Sequence, residues 1–588
     1  MRRLILIALA GMIVLACADS WMHAIAQSGG TQYPSASRIT KDGTAVMVED
    51  YAVLPQSRWS FDERNPPRND FEGLPYQLAR ANVLASEPRD APRSSARFFV
   101  IDQNGNLYIL DKSRREFTEY IAFNKVFPNF ANASPHGGFG TGLGSITFDP
   151  AYAKTGKFYT VHTEKPGMSA SGAPRNDVLR GLRPGGFATT SPINPPAGEV
   201  GFESVVVEWT DSNIGNAQFE GTAREILRLG FSFVFHPIGD LLFNPLARPG
   251  EADYGNLYIS VGDGTAGERP GITHTIPQRL DALQGKILRV TPDVTLRPQD
   301  LLSSNGRYRI PSTGTNANPF VSTNGARPEV YAYGFRNPHR MRWDAVTNTL
   351  VAVEIGAGSW EEVNVIVKGG NYGWAEREGH EQVFVGGPNN GRTGSRVDPP
   401  VAFPASDTII VEGIDRPLTP LYPAAAFSHR DGVAIGPGFI YRGKLMPQML
   451  GKYLFSDIVT GRLFYCDGPE MLATKGARDK SAAIHELQVV YKGPFGTPAE
   501  SAVKRRMFDI VAEAYSRRQG FPIPNNVLPG MSALTNAGQL DPYGAAYGGG
   551  RADVRLSMDG DGEVYLMSKS DGMIRKLTAV VTTPSSGR

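Results

Sequence analysis

The residues able to do chemistry in this chain stand in a few short, glycine-punctuated stretches. Of nine histidines, one closes the apolar run "REILRLGFSFVFHPIGDLLFNP", residues 224–245. Leu227, Leu229, Phe231, Phe233 and Phe235 alternate with Arg228, Gly230, Ser232, Val234 and His236, the period of a strand with one buried face. On this reading His236 lies opposite the phenylalanines, Pro237 holds it extended, and Gly239-Asp240 turn the chain into "LLF". A histidine where a strand opens into a turn is placed to meet a ligand; a satisfied, half-buried side chain is the plainer alternative. "PEVYAYGFRNPHRMRWD" gathers Arg336, Asn337, His339, Arg340 and Arg342 at the end of an alternating strand. Guanidinium forks beside an amide suit an anionic planar ligand, unless the arginines serve neighbouring carbonyls. In "VEIGAGSWEEVNVIVKGGNYGW", Gly356, Ala357 and Gly358 expose carbonyls and Glu361 and Glu362 follow. Carbonyls with carboxylates are the hard oxygen ligands that calcium accepts, although a Gly-rich turn beside a solvated acidic pair reads the same. "ISVGDG" sets Asp263 at another strand end.

The elements that must position these residues are mostly strands. With 66 glycines, 44 prolines and 41% apolar residues in 588, the composition suits a turn-rich globular chain. A formal net charge of +2 and the lack of a dense basic tract argue against a nucleic-acid partner. Segments such as "QNGNLYILDKSRREF", "YGNLYISVGDG", "LGKYLFSDIVTGRLFY" and "GDGEVYLMSKSDGMIRKL" recur as turn, short strand, polar loop and strand. About six such units between residues 95 and 580 predict an all-β, six-bladed β-propeller with long loop insertions; a β-sandwich is the competing architecture. The insertions are read near 165–200, 381–425 and 496–550, and "AVKRRMFDIVAEAYSRR" is the best helical candidate.

At the N-terminus two arginines precede an apolar run, Leu4 to Ala16, too short for a good membrane span. Residues 1–26 read as a signal peptide, with Ala24-Ile25-Ala26 before the cleavage point. "VLAC" leaves open a lipoprotein anchored at Cys17. The expected location is periplasmic or secreted, with an N-terminal extension at 27–69, the propeller at 70–580 and a disordered tail at 581–588. No later segment is long and apolar enough to span a bilayer. Cys17 and Cys466 are the only cysteines, so no disulfide framework, zinc cluster or dithiol centre is available, and redox chemistry would need a bound cofactor.

Taken in order, "TGLGSITFDPAYAKTGKFY", "REILRLG…FHPIGDLLFNP…GNLYISVGDG", "QGKILRVTPD", "PEVYAYGFRNPHR", "WEEVNVIVKGGNYGW" and "GPGFIYRGKLMPQMLGKYLFSD" resemble the soluble pyrroloquinoline-quinone-dependent glucose/sorbosone (aldose sugar) dehydrogenases over roughly residues 70–580. The resemblance implies a six-bladed propeller carrying the quinone on its axis. It implies His236 as catalytic base and Asp263 as the carboxylate that orients it. Arg336 and Asn337 match the pair that holds the quinone, and Arg551 lies near where the family places another arginine on the cofactor. Gly356 and Ala357 match the carbonyls that bind calcium under the cofactor, and Glu362 and Tyr372 match a second, structural calcium site. A small sugar or alcohol would be the substrate, and a separate molecule the electron acceptor, because no haem-attachment Cys-x-x-Cys-His is present. The chain departs from the family pattern in reading "HPIG" after the base, in the insertion "LARPGEADY", and in lacking a lysine in "SDIVTGRLF". Two other classes stand beside the dehydrogenase: a cofactor-free propeller that binds a protein or glycan partner, and a calcium-dependent lactonase or esterase.

Overall fold

In the computed structural model, the described residues are 39–57, 79–131, 140–167, 172–183, 185–233, 235–269, 271–383, 408–411, 414–417, 420–429, 431–477, 480–493, 497–519 and 552–582. The proposed signal peptide, Cys17, Arg551 and residues 583–588 of the expected tail lie outside them, while residues 581 and 582, expected in that disordered tail, close the strand Met573–Thr582. Most of the chain forms four-stranded antiparallel meanders. The first joins Ala81–Ala85, Arg97–Asp102, Asn106–Asp111 and Phe117–Ala122; the second, Leu143–Phe148, Lys157–Glu164, Phe202–Asp211 and Gly221–Phe231. The third takes Ile238–Phe243, Leu257–Val261, Lys286–Val290 and Val330–Tyr333, and the fourth Pro338–Asp344, Thr349–Glu354, Trp360–Ile366 and Ala425–Ser428.

A further, nine-stranded sheet runs Phe439–Ile440, Lys452–Ser456, Leu463–Asp467 and His485–Tyr491, then crosses a parallel pairing to Thr44–Val53 and continues through Met573–Thr582, Val564–Ser568 and Val554–Met558, with Val503–Lys504 paired off this path to His485–Tyr491. Thr44–Val53, inside the segment read as an N-terminal extension, thus pairs along its length with the last strand of the chain. The first strand of each meander lies beside the first strand of the next, and Val554–Met558 lies beside Ala81–Ala85. The arrangement is mostly β and propeller-like. The helix expected near 502–518 runs from Met507 to Gln519 and packs on the nine-stranded sheet through Phe508, Val511 and Tyr515.

Successive sheets pack face to face, so both faces of each are covered. Leu229 and Phe231 of the second sheet share a core with Leu241, Ile259 and Leu288 of the third. Met341 and Ala352 of the fourth meet Tyr258 and Ile287 of the third. This corrects the expectation of one buried face: Arg228, on the polar side of the alternation, is also fully buried, and its guanidinium binds Glu164, Glu203 and Glu225. A guanidinium can be buried there because three carboxylates surround it. The strand also ends at Phe231 rather than running to His236. Phe233 lies beyond it with the Arg269 guanidinium 4.6 Å above its ring. Gly239-Asp240 does not turn the chain; both lie within the strand Ile238–Phe243.

Candidate active site

His236 sits in the link between the second and third sheets. Its φ of +56° is left-handed, not the extended conformation expected from Pro237. A non-glycine residue adopts this region only when its surroundings impose it. Here the loop after Leu257–Val261 does so: Gly262 N–H donates to Pro237 O at 3.0 Å and Gly264 N–H to His236 O at 3.3 Å. A Cβ on Gly262 would come within 2.4 Å of His236 O. The histidine backbone is therefore clamped by a loop that only glycine lets approach.

The same loop carries Asp263, whose Oδ1 lies 2.8 Å from His236 Nδ1. Thr265 N–H also donates to Oδ1 at 2.8 Å, while Gly267 N–H and Trp374 Nε1–H donate to Oδ2 at 3.0 and 2.8 Å. Burial pushes the Asp263 carboxyl upward. The His236 bond and charge, Arg336 and the Trp374 N–H outweigh it and hold the group below the usual carboxylate range. An ionised Asp263 accepts Nδ1–H and fixes the tautomer that leaves the Nε2 lone pair available. Among the described residues Nε2 has no protein partner.

Arg336 and Asn337 follow directly after the third sheet, and the Arg336 carbonyl accepts Asp263 N–H at 2.8 Å. The Arg336 guanidinium is buried and turned inward. It reaches Glu268 at 2.5 Å and the carbonyls of Ile355 and Gly356 at 2.9 and 2.7 Å. The Asn337 carboxamide takes no protein partner among the described residues, and its backbone N–H donates to Glu354 at 3.0 Å. Nearby strand ends add basic groups: Arg340 and His339 from the cluster named in the sequence, and Arg80, Arg555 and Lys569, which the sequence reading did not single out. Arg80 lies 3.6 Å and Arg555 2.5 Å from Asp553. Arg340 crosses to Gly239 O, Gly144 O and Asn82 Oδ1. Burial, then Arg555, drives Lys569 well below the usual lysine range. Burial, then Arg340, does the same to His339, whose Nε2 is buried without a partner.

The loop from Gly356 faces a third acidic residue, Glu378, missed in the sequence. Its Oε1 accepts the successive N–H groups of Ala357, Gly358, Ser359 and Trp360 at 2.8–3.0 Å. Glu362 and Tyr372, ten residues apart, do come together on one small cavity of about 10 Å³ that Glu354 and Glu378 also line. Glu362 accepts from Asn364 Nδ2 at 2.9 Å and Gly379 N–H at 2.5 Å. The second oxygens of Glu354 and Glu378 are buried without a partner. Burial, then the neighbouring Glu362 charge, drives Glu354 well above the ordinary range, and burial also raises Glu362. Arg377 is the local counter-charge, donating to Tyr372 O at 2.7 Å and to Gly379 O. Among the described residues no three acidic or imidazole side chains form a ready-made metal cluster. The cavity nevertheless offers hard oxygens, unpartnered charge and room for about one ion or water.

The family model for glucose/sorbosone dehydrogenase matches residues 294–403. Over those residues the chain is similar to the glucose/sorbosone dehydrogenase family. The HIPL1 protein of Arabidopsis thaliana is 25% identical over 338 residues, 54% of this chain and 42% of that protein. An aldose sugar dehydrogenase of Escherichia coli K12 is 35% identical over 120 residues, 20% and 26% of the two chains. Human Hedgehog-interacting protein is 26% identical over 369 residues, 62% of this chain and 39% of that one. The chain thus spans less than half the length of these relatives. Among solved structures, the PQQ-bound aldose sugar dehydrogenase of Streptomyces coelicolor aligns with a TM-score of 0.41 at 18% identity, covering 85% of this chain and 94% of that one.

Proposed function

We propose that this protein is an exported, six-bladed quinoprotein dehydrogenase that oxidises an aldose sugar or related alcohol. The ring of neighbouring first strands supports six blades, and the similarity of residues 294–403 to the glucose/sorbosone dehydrogenase family supports the reaction class. The observation that carries the reading is the His236–Asp263 pair, clamped and buried, with Nε2 left to accept a proton. In the proposed reaction Nε2 takes the substrate hydroxyl proton as hydride leaves the same carbon, and Asp263 stabilises the imidazolium. Such base catalysis is worth ~10²–10⁴ in rate.

Calcium-bound pyrroloquinoline quinone, when present, supplies the hydride acceptor. The residues fit such a group in kind. Asn337 offers a carboxamide without a protein partner, Arg555, Arg80 and Lys569 offer N–H donors to carboxylates, and His339 adds a buried ring nitrogen. Arg336 fits less directly, since its donors go to Glu268 and two carbonyls; it braces the Gly356–Ala357 loop whose carbonyls would meet the metal. Glu362 and Tyr372, joined by Glu354 and Glu378, are the oxygen set for the second calcium. Among the described residues no helix is long and apolar enough to cross a membrane, and the N-terminal run supports export.

The test compares the wild type and His236→Ala, each loaded with quinone and calcium and mixed with aldoses. The wild type reduces its quinone; the variant binds quinone without reducing it. Equal reduction by the variant overturns the role of His236. A second reading, a cofactor-free propeller that binds a partner, draws on the inward-turned Arg336 and on the relation to Hedgehog-interacting protein. Absence of quinone binding would select it.

A further inference from the structure

The strands that bring His236 to one end of the third and fourth sheets carry a second set of side chains to the other end. His236 precedes the strand Ile238–Phe243 and Asn244 follows it; Pro338 opens its strand and Trp343 lies near the close. Strands of this length separate the two ends by roughly 20 Å. At the far end a cleft of about 320 Å³ lies between the two sheets, the size range of a small-molecule site. Part of its wall is the insertion "LARPGEADY", which the family pattern lacks: Leu246, Ala247, Glu251 and Asp253 all face it.

We propose that this cleft binds a neutral saccharide, at a site separate from His236. Three aromatic rings form one wall. Tyr258 is buried, edge-on to Tyr331 at 5.2 Å and to Trp343 at 5.4 Å, with interplanar angles of 83° and 77°. Aromatic walls of this kind receive the C–H face of a pyranose ring. Polar groups surround them in the mixture that vicinal hydroxyls require. Asn244 Nδ2 bridges Asp253 Oδ2 at 2.9 Å and Asn348 Oδ1 at 3.2 Å, leaving further acceptor capacity on both partners. The Trp343 indole N–H is buried with no partner in the protein, a donor that a ligand hydroxyl would satisfy.

Charge favours a neutral ligand. The Arg289 guanidinium lies 3.6 Å from Asp253, binds Asn316 Oδ1 at 2.9 Å and stacks 5.0 Å above Tyr331. Its charge is matched within the wall, so a phosphate or carboxylate would find no spare cation there. The site does not depend on the dehydrogenase reading, because no residue is shared with the His236 end.

The test titrates the quinone-free mature chain with glucose, maltose and cellobiose, following tryptophan fluorescence and heat. The expected result is saturable binding of at least one of them. Trp343→Phe, which keeps a ring but removes the N–H, should weaken it ~10-fold or more. Asn348→Ala should weaken it too, with the melting temperature within a few degrees of wild type, while His236→Ala binds normally. Absence of saturable binding up to ~10 mM of every probe, or binding indifferent to both Trp343→Phe and Asn348→Ala, overturns the proposal. Loss of binding in His236→Ala alone would also overturn it, by placing the sugar at the other end; the quinone titration tests the dehydrogenase reading separately.

Discussion

Asp263→Asn exchanges one oxygen for an NH₂ in a carboxylate whose surroundings consist of donors. Oδ1 receives His236 Nδ1 and Thr265 N–H, and Oδ2 receives Gly267 N–H and Trp374 Nε1–H. With its NH₂ in the Oδ1 place the amide can donate to His236 Nδ1 once the ring carries its proton on Nε2, and only Thr265 N–H loses its acceptor; in the Oδ2 place the NH₂ faces both Gly267 N–H and Trp374 Nε1–H. The first orientation is the cheaper, and an orphaned buried donor costs about 1–3 kcal/mol, so the variant should lose about 1–3 kcal/mol of stability. Guanidinium chloride unfolding followed by tryptophan fluorescence reads this directly. Catalytically, loss of the carboxylate frees His236 to hold its proton on Nε2 and removes the counter-charge of the imidazolium. Quinone reduction by sugar should fall ~10³–10⁴-fold, by analogy with losing the orienting carboxylate of a catalytic triad.

The pH dependence has a definite sign. The folded Asp263 carboxyl titrates below its unfolded value. Its contribution is therefore complete above the unfolded carboxylate value, about 4, and is lost as pH falls through the folded one. The wild type should lose stability in this acid window more steeply than the asparagine variant. A variant with unchanged stability, activity and acid profile would refute the reasoning.

Further outcomes follow from neighbouring residues. Gly262→Ala places a methyl 2.4 Å from His236 O, so it should displace the histidine, cost about 1–3 kcal/mol and depress sugar oxidation while leaving the helix Met507–Gln519 intact by circular dichroism. Glu354 and Glu362 titrate above their unfolded values, so their ionisation destabilises the fold as pH rises through the folded values. Protein treated with a chelator should accordingly lose melting temperature above pH ~5, calcium should restore it, and Glu378→Gln should reduce the restoration. Lys569→Met removes a buried amine whose charge a bound carboxylate would restore, and it should weaken quinone binding ~10-fold or more without lowering the melting temperature, read by equilibrium titration and calorimetry.

The strand period and the recurrent turn signals revealed the sheets because each strand is a local pattern. Their limits lie where tertiary packing overrides it. Alternation at 227–231 was legible, but it suggested one buried face; Arg228 is buried as well because Glu164 and Glu203, from other strands of the same sheet, reach its guanidinium. The left-handed φ of His236 comes from the Gly262–Gly264 loop, which no window around His236 contains. His236 with Asp263, and Glu362 with Tyr372, were paired through the resemblance to the aldose sugar dehydrogenases, and both pairs do come together. Trp374, Glu268, Glu354 and Glu378 were missed as site residues. Trp374 lies in the "GGNYGW" stretch already singled out, and its N–H donor was the available signal. Glu378 carried no local signal, since its partners are the backbone amides of a loop some twenty residues earlier.

The central claim is a bound quinone at the His236 end of the sheets, and an absorbance titration of the purified protein with pyrroloquinoline quinone tests it most directly. One quinone should bind per chain, only with calcium present, and bleach to the reduced form on adding a suitable aldose. No binding at micromolar quinone with calcium present would contradict it.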